Sequence, residues 1–153
     1  KKNPLSKISY KINKNLDFIS GGSAVHSLLN LENEERYNII KSFNEIKKTY
    51  DYMIIDIGAG ADASSISFMS AANKIITVLV SEPTSFADAY SLVKASYLDE
   101  RLDNFGIVWN MSNNDFQAKN HFEKFSSIST KFLDVKLTYL GCLNNRKLFF
   151  INL

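Results

Sequence analysis

An aspartate followed by a loop of small residues is the part of the sequence best suited to chemistry. The stretch "YMIIDIGAGAD", residues 52–62, places Asp56 at the end of an apolar run and just before Gly58 and Gly60. A carboxylate there can hold Mg²⁺ through water, because this ion keeps much of its hydration shell. The glycines, which have no Cβ, would let backbone N–H groups approach a phosphate. The alternative is that Asp56 helps to cap the following helix and that the glycines form a turn.

Polar or glycine-containing segments also follow the other predicted strands, as "SGGSA", "SEPTS", "NMSNN" and "NNRK". Ligands of open α/β sheets bind at these carboxyl ends of strands. The Asn110 amide could donate and accept at once, as an adenine edge requires, or it could simply complete a turn. His26 and His121 have no cysteine or carboxylate at ligand spacing, which disfavours a metal site or a Ser-His-Asp triad.

The elements that must position these residues follow from the apolar patterns. Short runs rich in β-branched and aromatic residues predict buried strands at 16–19, 52–57, 74–80, 104–110 and 137–143. Apolar residues at steps of three and four predict helices over 37–50, 86–97 and 122–132, and a run of small residues predicts a shorter helix at 63–72. Strands alternating with helices predict a three-layer α/β fold with a mostly parallel sheet and right-handed crossovers.

Composition limits the class of protein. With 153 residues, 45% of them hydrophobic, the chain is predicted to form a single domain over residues 1–153. Its net charge of +2 is too small to indicate nucleic-acid binding by bulk electrostatics. The single cysteine, Cys142, excludes an intrachain disulfide and fits a reducing, cytoplasmic setting. No window approaches the roughly 18 apolar residues of a membrane span.

A longer segment resembles a known family. Residues 50–95, "YDYMIIDIGAGADASSISFMSAANKIITVLVSEPTSFADAYSLVKA", with "NLDFISGGSA" before and "FGIVWNM" after, resemble the MinD/ParA class of P-loop ATPases. Within that class they are most similar to the FlhG family, whose members regulate flagellar number and placement. The most specific parts are "D-x-G-A-G" and "E-P-T-S-x-x-D-A-Y", and the similarity runs from about residue 16 to about residue 143.

The resemblance implies a role for individual residues. Asp56 matches the Walker B carboxylate that holds Mg²⁺ through water, and Asn110 matches the asparagine that recognises adenine. The backbone segment that senses the γ-phosphate is matched by Gly58, Ala59 and Gly60. The loop beside the nucleotide and the dimer face, with the helix behind it, is matched by Glu82, Pro83, Thr84, Ser85 and Asp88.

The sequence also departs from this family. No K-G-G-x-G-K-[ST] phosphate loop and no switch I aspartate segment occur in the 153 residues, so we expect an incomplete P-loop NTPase fold and a C-terminal portion of a longer or split gene. The phosphate loop supplies the phosphate cradle and a Mg²⁺-binding hydroxyl. This chain alone is therefore expected to bind ATP weakly and to lack hydrolysis.

The resemblance implies ATP and Mg²⁺ as cofactors and a homo-oligomer as the assembly. It also implies an FlhF-type GTPase and flagellar basal-body or regulator proteins as partners, no specific nucleic acid, and at most peripheral contact with the inner face of the cell membrane. Two alternatives stay open. The chain could be a non-catalytic, partner-binding pseudo-ATPase, or a positioning protein of the MinD/ParA type for cell division or DNA partition.

Overall fold

The computed structural model describes residues 7–20, 32–46 and 49–144. The chain divides into two compact units, residues 1–71 and residues 72–153. Three features of the sequence lie outside the described residues. They are the "GGS" turn at 21–23, His26, and residues 145–147 of the "NNRK" segment.

The first unit contains short elements. Strands β1 (Tyr10–Asn13) and β2 (Leu16–Phe18) pair antiparallel in a two-stranded sheet. Helix α1 (Asn33–Ser42) continues into a 3₁₀ turn (Phe43–Glu45), and helix α2 (Ala63–Ser70) follows later. The prediction of a buried strand at 16–19 is wrong, because β2 is a hairpin strand whose ends, Leu16 and Phe18, are exposed.

The predicted buried strand at 52–57 is also corrected. This segment forms no strand, although its residues are apolar. Tyr52 is 88% exposed and Ile54 is 91% exposed. An apolar run becomes a buried strand only when a neighbouring strand takes up its backbone groups and a second layer covers its side chains. Neither occurs here within the part of the chain that the structure describes.

The second unit has the predicted alternation of strands and helices. Its elements in chain order are β3 (Ile75–Leu79), α3 (Pro83–Glu100), β4 (Asn104–Ser112), α4 (Asp115–Phe132) and β5 (Lys136–Asn144). The sheet order is β3-β4-β5, and both strand pairs are parallel. The α/β class, the parallel sheet and the three strands predicted at 74–80, 104–110 and 137–143 are confirmed.

The core of this unit lies on one face of the sheet. Phe105, Ile107 and Trp109 alternate along β4 and are fully buried, as a strand with period two requires. They pack with Val93 from α3 and Phe125 from α4. Both helices therefore lie on the same face, so this unit by itself has two layers. The edge-to-face contacts of Phe86 with Trp109 and with Phe125 join the two helices to the sheet.

The opposite face of the sheet carries apolar side chains at the surface. On β3, Ile76 is 58% exposed and Val78 is 57% exposed. On β4, Gly106 leaves room for the Leu140 side chain, since a Cβ at this glycine would lie 2.5 Å from Leu140 Cδ1. This face of the sheet thus carries apolar side chains although they are exposed.

Candidate functional site

The predicted Walker B aspartate lies in the first unit. Asp56 is exposed, and within residues 7–20, 32–46 and 49–144 its carboxylate has no hydrogen-bond or ion-pair partner. Its oxygens are therefore free to bind a hydrated cation. Gly58 is exposed too, and a Cβ there would have no atom within 4 Å, so nothing in this segment blocks the approach of a ligand to its backbone.

The end of the same loop is a helix cap. Gly60 has φ +130°, a conformation that strongly favours glycine, and Asp62 follows as the N-cap of α2. The Asp62 carboxylate accepts from the backbone N–H groups of Ser64 (2.9 Å) and Ser65 (3.0 Å) and from the Ser65 hydroxyl (2.6 Å). Asp62 therefore caps this helix, and Asp56 does not.

The pKa of Asp62 reflects this capping. Partial burial acts to raise the pKa of its carboxyl group, but the hydrogen bonds from Ser65 and Ser64 outweigh burial and hold the pKa below its usual value. The group is thus kept ionised by its contacts with the helix terminus.

The predicted adenine-binding residue lies in the second unit, near the end of β4. Asn110 is half-buried, and its Oδ1 accepts from the Met111 N–H at 2.9 Å. Because the side-chain carbonyl is used in this way, the amide NH₂ remains as the group that can reach a ligand. Met111 has φ 54°, an uncommon conformation for a residue other than glycine, and the β4–β5 register shifts between Trp109 and Ser112.

The segment predicted to border the nucleotide begins α3. Glu82 is the N-cap and Pro83 stands at the first helical position, where its missing N–H costs nothing. Ser85 Oγ accepts from the Val80 N–H at 3.1 Å and so joins the first turn to the end of β3. Thr84 and Asp88 are exposed and available to a partner.

A cluster that sequence reasoning missed lies at the carboxyl ends of β3 and β4. Trp109 Nε1 donates to Ser81 Oγ at 2.9 Å, and Ser81 Oγ lies 3.0 Å from His121 Nδ1. The Trp109 and His121 rings are 5.6 Å apart between centroids. A sequence signal was present, since Ser81 follows β3, Trp109 lies near the end of the neighbouring strand β4, and His121 is on the helix that follows β4. The sequence did not predict a role for His121, because the residues near it in the chain include no cysteine or carboxylate at ligand spacing.

This cluster opens into a cleft of about 290 Å³. Its lining includes polar residues from the end of β4 and one side of α4, among them Ser112, Asn113, Gln117 and Lys124. The described ranges contain no group of three His, Cys, Asp or Glu side chains placed to hold a metal ion. Among the helices that the structure describes, none has the length and hydropathy needed to cross a membrane.

The parallel sheet, its crossover helices and the polar carboxyl ends of its strands define part of a nucleotide-binding α/β fold of the P-loop NTPase type. No protein-family model matches the chain. Two known proteins do, and the name of one of them refers to the flagellum.

The chain is 31% identical over 125 residues to the antiactivator FleN of Pseudomonas aeruginosa, covering 82% of this chain and 45% of FleN. It is 24% identical over 145 residues to the flagellum site-determining protein YlxH of Helicobacter pylori, covering 94% of this chain and 49% of YlxH. The chain is therefore FlhG-like in sequence, as its similarity to FleN and YlxH shows, and it spans about half the length of these relatives.

Proposed function

We propose that the chain is part of a nucleotide-dependent regulator of flagellar number and placement. The observation that carries this is its similarity to FleN and YlxH over at least four-fifths of its length. The polar carboxyl ends of β3 and β4 support it, because nucleotides bind at this edge of parallel α/β sheets. The exposed Asp56 carboxylate supports it separately, because it is suited to binding a hydrated cation.

In this proposal Asp56 holds Mg²⁺ through water and the backbone of Gly58, Ala59 and Gly60 contacts the terminal phosphate of ATP. The exposed carboxylate suits an ion that needs only one or two protein carboxylates. The free amide NH₂ of Asn110 donates to the adenine ring. When bound, ATP and Mg²⁺ act as a switch, since contacts with the terminal phosphate order loops that hydrolysis then releases.

The partner surface in this proposal is the start of α3. Glu82, Pro83 and Thr84 are exposed there, with Ser85 and Asp88 on the same helix. A second copy of the chain is the proposed partner at this surface. An FlhF-type GTPase, flagellar basal-body proteins and a peripheral membrane contact are further proposals from the family. Light scattering tests self-association, and a stable monomer at every protein concentration would contradict it.

Calorimetry with ATP and Mg²⁺ tests the nucleotide site. Because the 153 residues contain no phosphate loop, we expect weak binding, with a Kd of about 1 mM or above. Asp56→Ala should abolish the Mg²⁺ dependence and Asn110→Ala should weaken binding of adenosine. Asp51→Ala, at another exposed aspartate of the same segment, is the matched control.

A second candidate function is a non-catalytic module that keeps partner surfaces without nucleotide binding. The absence of a phosphate-loop motif from these 153 residues favours it. Undetectable ATP binding, together with retained effects on flagellar number when the chain is expressed, would select this candidate. ATP binding that responds equally to Asp51→Ala and Asp56→Ala would contradict the assignment of Asp56.

A further inference from the structure

The cleft beside Ser81 and His121 lies on the other side of the sheet from Asn110, the proposed nucleotide contact in the second unit. Along β4, Trp109 faces the helices whereas the next residue, Asn110, faces the opposite side of the sheet, because side chains alternate along a strand. The Ser81–His121 pair follows Trp109 and so lies on the helix side. Nothing in the family resemblance assigns a role to this cleft.

The contact with Ser81 occupies one ring nitrogen of His121, Nδ1, and leaves Nε2 to a ligand. The indole N–H of Trp109 can only donate, so Ser81 Oγ accepts from it. The Ser81 hydroxyl can donate its own proton to His121 Nδ1 or accept from that nitrogen with its second lone pair, and we adopt the first arrangement. In this arrangement the imidazole proton is on Nε2, and His121 offers an N–H donor. Trp109 is fully buried, which anchors the whole chain of hydrogen bonds to the core.

One further acceptor atom of the cleft, Gln117 Oε1, is also occupied. The Asn113 amide NH₂ donates to Gln117 Oε1 at 3.3 Å, which leaves the NH₂ group of Gln117 as a donor. Lys124 adds three donors and a positive charge. No carboxylate lines this cleft, and within the described residues Lys124 forms no ion pair. The nearest acidic residue along the helix, Glu123, lines the neighbouring cleft, which Lys124 also borders.

A ligand that supplies acceptors and negative charge would match these donors and the Lys124 charge. We propose that the cleft binds a phosphate group, with Lys124, His121 Nε2–H and Gln117 as its donors and with Ser81 as a positioning residue that orients His121. Phosphate fits because it has several acceptor oxygens and pairs with lysine as a point charge. The uncommon backbone conformation of Met111, also in the lining, adds support, because strained residues cluster at binding sites.

The test is a titration of the full chain with inorganic phosphate, followed by the imidazole NMR signals. His26 is the chain's other histidine and serves as an internal reference. We expect saturable shifts at His121 with a Kd of about 1 mM or tighter. Lys124→Met should weaken binding about tenfold. Lys131→Met, a lysine at the other end of the same helix, should leave the Kd unchanged.

Ser81→Ala separates positioning from folding. The Nδ1 and Nε2 shifts of His121 report which nitrogen carries the proton, and this distribution should change in Ser81→Ala while the backbone spectrum of β3 and β4 persists. The proposal is overturned if phosphate shifts both histidines equally, or if Lys124→Met and Lys131→Met have the same Kd.

A final experiment titrates the chain with ATP and Mg²⁺ to test whether the phosphate group in the cleft is that of a nucleotide. If ATP shifts His121 and Asp56→Ala removes that effect, the cleft is part of the nucleotide site and the proposal of a separate site fails. If inorganic phosphate still binds in Asp56→Ala, the separate site stands, whether or not the chain binds ATP. The two proposals can thus fail independently.

Discussion

Similar apolar sequences form different structures in the two units of the chain. In the second unit, "NFGIVWN" forms the central strand β4 and buries Phe105, Ile107 and Trp109 completely. In the first unit, "YMIIDI" has the same strand-like composition but forms no strand, and its Tyr52 and Ile54 side chains are exposed. Composition is thus insufficient; a strand is stabilised by neighbours that pair with its backbone and cover its side chains.

The comparison also separates two kinds of functional residue. Asp56 and Gly58 lie in an exposed segment with free groups, whereas Ser81 and His121 are held by a buried tryptophan. Binding sites are more precise where packed side chains fix them. The second unit therefore holds Ser81 and His121 in place through its core, whereas the Asp56 side chain has no comparable contact within the described residues.

The largest expected effect is in the core of the second unit. Phe125→Ala should lower the free energy of unfolding by about 3–5 kcal/mol, because a fully buried aromatic side chain is removed. Phe116→Ala is the matched control on the same helix, since Phe116 is exposed and the change in helix propensity is the same. Chemical denaturation measures both. Equal losses for the two variants would show that α4 does not pack as described.

Gly106→Ala tests the packing of the other face of the sheet. The new Cβ would lie 2.5 Å from Leu140 Cδ1, but Leu140 is half exposed and can change rotamer, so we expect a loss of only about 1 kcal/mol. Leu140→Ala in the same chain should restore part of that loss by removing the clash. A double-mutant cycle by denaturation measures the coupling, and an additive result would contradict this contact.

Asp62→Ala probes the first unit through its helix cap and should cost about 1 kcal/mol. Because the pKa of Asp62 is lowered in the folded state, its contribution is present above the unfolded pKa of about 3.8 and is lost as the pH falls through the folded value. Wild type should therefore lose more stability than Asp62→Asn between neutral and acid pH. Parallel pH profiles for the two proteins would contradict this assignment.

The smallest effect is expected for Tyr52→Ser, which should change the unfolding free energy by no more than about 0.5 kcal/mol, because the side chain is almost fully exposed. Thermal or chemical denaturation measures the change. A loss above about 2 kcal/mol would show that the apolar run of the first unit is buried, and the contrast between the two units would disappear.

Sequence patterns were most informative where the structure is regular. The helices near 86–97 and 122–132 were predicted from apolar spacing, and the structure extends them to Pro83–Glu100 and Asp115–Phe132. The helix predicted over 37–50 is shorter, because α1 ends at Ser42 and only a 3₁₀ turn follows it. The contact between Ser81 and His121 was missed because forty residues separate them along the chain.

What the sequence determined by itself is local: the periodicity of α3 and α4, the small-residue loop after Asp56, and the motifs shared with FleN and YlxH. The tertiary structure alone decided which apolar runs are buried and which polar groups meet at the strand ends. The physical reason is that burial and hydrogen bonding depend on neighbours distant in sequence. Apolar residues of similar kinds are buried in β4 and exposed at 52–57. Of these two segments, only β4 has a strand on each side and helices packed on one face.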